Sequence, residues 1–190
     1  MSFGIAILRA VVGGLFIGHG LQKLLGKFGG HGLDGTAGFF ESLGLRPGKV
    51  HATAAGLAET GGGALLLAGA ATPLGAAAVT GTMTVAIEKV HRPKGPWVSD
   101  GGYEYNAVLI AAMLALTETG PGRPSVDAGA FPRLKGNGLA LAQFAAAAAG
   151  ATLLTADRGP AVEEVPGEDE VTAPRHERFT REPAQVETQA

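Results

Sequence analysis

The chain has no cysteine among its 190 residues. That absence excludes disulfide bonds, thiolate nucleophiles, iron–sulfur ligation and c-type haem attachment. Redox chemistry on this chain therefore needs a bound organic cofactor, a b-type haem or a partner protein. Charge is also scarce. Asp, Glu, Lys and Arg make up 17% of residues, against about 25% in soluble domains. Neither half carries the basic stripe of a nucleic-acid binder, so nucleic acid is not an expected partner. No HExxH-type or CxxC-type spacing occurs. His51 and His91 fall at the ends of apolar runs rather than at matched depth with His19, so no metal or haem site is expected.

Glycine and apolar residues are what the chain has in quantity. Hydrophobic residues reach 46%, and 31 glycines occur without a G-X-Y period. The glycines sit inside apolar runs, where small residues let membrane helices approach closely. Apolar spans are expected at 4–25, 50–71, 73–89 and 103–119, each near the roughly 20 residues that cross a bilayer as a helix. A fifth stretch, 139–156, is alanine-rich and reads as a further span or an interfacial helix. The N-terminal run reads as a retained helix rather than a signal peptide, because Arg9 interrupts it and no basic residue precedes it.

The fold class is thus an all-α transmembrane bundle over 1–156, with a four-helix core and a fifth helix. Residues 157–190 hold 4 Arg against 9 Asp/Glu. This acidic tail has few apolar residues and is expected to be disordered. Lys and Arg set the orientation. Lys23, Lys27, Arg46, Lys49, Lys89, Arg92 and Lys94 share one side, and Arg123, Arg133 and Lys135 share the other. The positive-inside rule then puts the first and third loops in the cytoplasm of a multi-pass plasma-membrane protein.

Inside these spans lie Arg9, His19 and Lys23, then Glu59, Glu88 and Glu104. Charges in hydrocarbon cost several kcal/mol (roughly 2.5–3.5 on insertion scales) unless they pair or face a polar cavity. These six are the candidate buried polar cluster. At 1.5 Å per residue, His19 lies roughly 9 Å and Glu59 roughly 13 Å from the cytoplasmic ends, with Arg9 deeper at roughly 24 Å. His19 and Glu59 are read as a proton-relay pair, and Arg9 as a structural partner of Glu59 or Glu118 or as a functional group. Stripes at i, i+3, i+4, i+7 are expected to face one another: Gly56, Glu59, Thr60 and Gly63 on the second span, and Glu104, Val108, Ala111 and Ala115 on the fourth. Gly14 and Gly18 form a spacing suited to self-association.

Taken in order, these residues resemble the DoxX family of small bacterial membrane proteins. The matching elements are Arg9, the His19–Gly20–Leu21–Gln22–Lys23 segment, Glu59–Thr60–Gly61–Gly62, Ala86–Ile87–Glu88 and Tyr103–Glu104. The Gly122–Arg123–Pro124–Ser125–Val126–Asp127 stretch follows. The resemblance spans roughly residues 4–130 and marks Gly20, Gly62 and Asp127 as family-motif positions. It implies a four-helix membrane core and a link to quinone-linked oxidoreductase complexes or to scaffolds of redox-stress enzymes. Three functions follow as expectations. The first is a quinone-linked redox subunit served by a partner protein. The others are a small-solute or proton transporter, and a membrane scaffold. No independent enzyme activity is assigned.

Overall fold

A computed structural model describes residues 3–156, and every regular element among them is helical. The elements are α1 (Phe3–Leu25), α2 (Gly32–Ser42), α3 (Gly48–Ala68), α4 (Thr72–Ala86), α5 (Glu104–Thr119), α6 (Val126–Ala130) and α7 (Asn137–Ala156). Four of them, α1, α3, α4 and α5, coincide with the four expected spans to within three residues. The fifth stretch forms α7. The disorder expected of the acidic tail falls outside the described residues.

Two helices, α1 and α7, are each long and apolar enough to cross a membrane. At 15 residues, α4 alone would extend about 22 Å, but a π-helical turn over Ile87–His91 continues it. The surface is apolar where a soluble bundle would be polar. Ile7, Val11 and Leu15, one face of α1, are about half exposed, and Leu57, Leu74, Val108 and Leu141 also point outward. Polar groups are inside: Arg9, Glu59, Thr80, Asn106, Thr117, Asp127 and Gln143 are all buried. Such an arrangement suits a bilayer, where the outer face meets lipid and polar groups must pair internally.

The apolar core joins Val12 and Phe16 of α1 to Leu66 of α3, Val79 of α4, and Met113 and Leu116 of α5. Glycine permits the closest approach. A Cβ at Gly13 would stand 2.6 Å from the carbonyl oxygen of Gly63, and one at Gly20 would stand 2.6 Å from that of Gly56. Gly62 faces α4, where a Cβ would meet that of Ala78 at 2.8 Å. Gly20 and Gly62 are therefore packing positions. Gly14 and Gly18 face outward, with nothing within 4 Å of where a side chain would stand.

The chain turns between α3 and α4 in three residues. Gly69 adopts φ 62°, and the Ala70 N–H returns to the Leu65 carbonyl at 3.0 Å, satisfying an orphan carbonyl at the helix end. Ala71 also sits in the left-handed region, at φ 43°. A side chain makes that conformation unfavourable, so something must hold it.

α7 is part of the bundle. Its Gln143 donates to the Thr80 hydroxyl of α4 at 2.8 Å and accepts from the Thr117 hydroxyl of α5 at 3.3 Å. Gln143→Leu would strip partners from two buried hydroxyls, at a cost of about 1–2 kcal/mol. The expected outcome is a lower thermal midpoint in detergent, with proteolysis releasing α7 first. Undiminished α7 protection would show that the alanine face alone secures it.

Candidate functional site

The six candidate residues do not form one cluster. They separate into a structural cage at one end, an ion pair beside a cavity at the other, and two surface groups.

Arg9 belongs to the first. Its side chain lies at the end of the bundle where α3 turns into α4 and α5 leads into α6. Nε donates to the Leu66 carbonyl at 3.0 Å, and Nη2 donates to Leu67 at 3.3 Å. Nη1 donates to Pro121 at 2.5 Å, and both Nη atoms donate to Pro124 at 3.0 Å. Neither Glu59 nor Glu118 is its partner. The guanidinium instead caps the C-terminal carbonyls of α3, where a cation is favoured by unsatisfied C=O groups. Asp127 does the reverse for α4. Its carboxylate accepts from the Ala71 N–H at 2.8 Å, the Thr72 N–H at 2.7 Å and the Thr72 hydroxyl at 2.6 Å. That anion at a helix N-terminus holds Ala71 in its strained conformation. Ser125 caps α6, accepting from the Ala128 N–H at 3.2 Å, and places Asp127 for this contact.

Lys23 and Glu59 form the second group, with Nζ 2.6 Å from Oε2. A helix side chain leans toward its own N-terminus, so Lys23, near the end of α1, points back into the bundle rather than out to water. Glu59 meets it from the middle of α3. The Glu59 side chain is only 7% exposed and that of Lys23 24%. His19 lies nearby in sequence but does not pair with Glu59. Its Nδ1 is 3.0 Å from Gln22 Oε1, and its ring sits edge-on to Phe16.

His19, Lys23 and Glu59 all line one cavity of about 680 Å³. Its walls are largely alanine and glycine from α3, α4 and α7, including Ala55, Ala58, Gly81, Ala147 and Gly150. Phe39 and Phe40 of α2 line it as well, so the long first loop contributes a helix to the site. On the far helices Met83 and Asn106 complete it. Sequence reasoning missed Asn106 and Gln143 because it followed ionisable side chains alone.

Glu88 and Glu104 are elsewhere. Glu88 pairs with Arg92 at 2.7 Å across one exposed helical turn. Glu104 accepts from the Val98 N–H at 2.8 Å and ties the preceding loop to the first turn of α5. The expected stripe of Glu104, Val108, Ala111 and Ala115 does not face the bundle; the buried face of α5 is Asn106, Leu109, Met113, Leu116 and Thr117. Glu104 sits in the first turn of the helix, so its loop contact does not report which face is inward.

Residues 4–92, from α1 through the end of α4 and its π-helical turn, match the family model described as DoxX. They form a DoxX domain. DoxX is a membrane family, in keeping with the outward apolar faces of the bundle. It contains Arg9, His19, Lys23, Glu59 and Glu88. Glu104 and the Gly122–Asp127 stretch lie past the match. Comparison with curated proteins and with solved structures gave no match. The DoxX domain supplies the α1, α2, α3 and α4 walls of the cavity, and the loop before α5, α5 itself and α7 complete it from outside the match.

Proposed function

We propose that the chain is the membrane subunit of a quinone-linked redox system and binds the quinone ring in the cavity beside Lys23 and Glu59. The observation that carries this reading is an ion pair set into the wall of a largely apolar cavity of about 680 Å³. Small-molecule sites are typically 300–1,000 Å³, mostly apolar, with a few convergent polar groups. The residues suit a quinone. Lys23 and His19 offer N–H donors to a ring oxygen, and the Glu59 carboxylate can take up or release a proton there. The alanine and glycine walls exclude water and suit an isoprenoid chain arriving from lipid.

Bound quinone supplies two-electron redox chemistry. The chain lacks cysteine for a cluster of its own, so a partner redox protein is the proposed electron source. The protein is multi-pass in the plasma membrane in this reading. The Lys/Arg-rich first and third loops lie in the cytoplasm, on the side of the cavity. Gly14 and Gly18 offer an outward face for a second copy.

The test is quinone content after gentle detergent purification, by solvent extraction and mass spectrometry. Wild-type protein is expected to carry close to one quinone per chain, and folded Glu59→Gln at least about tenfold less, since a charge-assisted hydrogen bond contributes about 1.5–3 kcal/mol. Quinone-free wild type would overturn the reading and return attention to transport or scaffolding.

A further inference from the structure

The buried polar groups of this bundle are well supplied with partners, with one exception on the cavity wall. Arg9 makes five hydrogen bonds, Asp127 accepts three through its side chain, and Gln143 is engaged at both ends of its amide. Asn106 is as buried as these, at 5% exposure. Its amide nitrogen donates only to the Met83 sulfur, at 3.2 Å, and its amide oxygen has no partner among the described residues. A carboxamide offers two donors and two acceptor lone pairs, and a thioether is a weak acceptor. Asn106 therefore has most of its hydrogen-bonding capacity free where it lines the cavity.

Packing does not call for asparagine here. The same face of α5 continues with Leu109, Met113 and Leu116, so an apolar side chain at 106 would extend the core. An under-partnered buried amide costs stability, and a bound molecule that completes its hydrogen bonds recovers that cost. Thr60 shows the contrast. Its hydroxyl, unlike the Asn106 oxygen, is fully enclosed without a partner; it is wedged between α1 and α3 against Gly20 and does not line the cavity.

We infer that Asn106 is a second ligand-contacting residue, which hydrogen-bonds an oxygen of the ring held beside Lys23 and Glu59. This rests on the quinone reading. The cavity then takes rings bearing at least two oxygens, one served from α1 and α3 and the other from α5. A carboxamide also suits both oxidation states: its N–H donates to a quinone carbonyl, and its C=O accepts from a hydroquinone hydroxyl. Asn106 thus selects for the oxygen itself rather than for its protonation.

The experiment uses full-length protein in detergent and compares wild type, Asn106→Leu and Thr60→Val. A short-chain menaquinone is the probe, with a naphthol bearing the same side chain and a single oxygen as the control. Asn106→Leu is expected to lose about tenfold or more in menaquinone affinity. Its ligand-free thermal midpoint should be unchanged or higher, because an under-partnered buried amide has been removed. The two proteins should bind the naphthol within about twofold of each other, since no second oxygen is there to lose. Thr60→Val removes a buried hydroxyl that does not line the cavity and should keep menaquinone affinity within about twofold of wild type.

Wild-type affinity for menaquinone in Asn106→Leu would overturn the inference while leaving the quinone reading intact. Should wild type bind no quinone at all, the reading itself fails and the inference with it. If Asn106→Leu does not fold, Asn106→Ala and Asn106→Thr carry the same comparison. Equal loss of binding in Thr60→Val and the Asn106 variants would overturn the inference too, because it would assign Asn106 to packing.

Discussion

Replacing Arg9 with methionine is expected to destabilise the bundle by about 3–5 kcal/mol, the scale for breaking a buried charged network from one side. The loss goes beyond five hydrogen bonds. The carbonyls of Pro121, Pro124 and Leu67 would be stripped of the guanidinium, and Leu66 would keep only the Gly69 N–H. The Asp127 carboxylate would also remain buried after the nearby cation had gone. Arg9→Lys should recover little. A single ammonium cannot reach two chain segments with the fixed fork of donors that guanidinium offers. Gly69 shows how tightly the cage is built, since a Cβ there would stand 2.8 Å from Arg9 Cζ. Thermal unfolding in detergent, followed by circular dichroism, measures the effect. A midpoint for Arg9→Met equal to that of wild type would show that these carbonyls need no charged donor, and the cage would lose its assigned role.

Arg9 also shows what a membrane sequence reveals and what it hides. Apolar runs of the right length gave the helices, because a bilayer leaves few other options for a backbone. The face each helix turns inward was harder to read. Apolar residues cover both the lipid side and the core, so hydrophobic periodicity carries little information in α5. The stripe anchored on Glu104 was therefore displaced from the buried face at Asn106, Leu109 and Met113. Neutral polar residues were the better guide, because Asn106, Thr117 and Gln143 have no reason to meet lipid. The short α2 was hidden by Gly35 and Gly38, although Leu33, Ala37 and Phe40 already stood at helical spacing. Partners were the least legible. Depth along a helix suggested that His19 and Glu59 were neighbours, and Arg9, deeper, was assigned Glu59 or Glu118 as a partner. Lys23 took Glu59 because of the direction in which a helical side chain leans, and Arg9 found backbone carbonyls contributed by residues more than 50 positions away.

The Lys23–Glu59 pair should behave asymmetrically when taken apart. Lys23→Met leaves a carboxylate that is 7% exposed without its cation, and an unpaired buried charge costs about 3–5 kcal/mol. Glu59→Leu should cost less. The Lys23 side chain is already 24% exposed and sits near the end of α1, so its ammonium can swing to the interface on a flexible stem. The double replacement, Lys23→Met with Glu59→Leu, should recover most of the stability lost in Lys23→Met, because no charge is stranded and the volume stays filled. Thermal midpoints of the four proteins give the coupling energy directly. Quinone content, measured on the same four preparations, separates architecture from chemistry. If the pair exists only to hold α1 against α3, the restored double variant should carry as much quinone as wild type. If the pair grips the ring, that variant is stable and empty. A stable double variant that retains stoichiometric quinone would sink the proposed site, whatever the single replacements do.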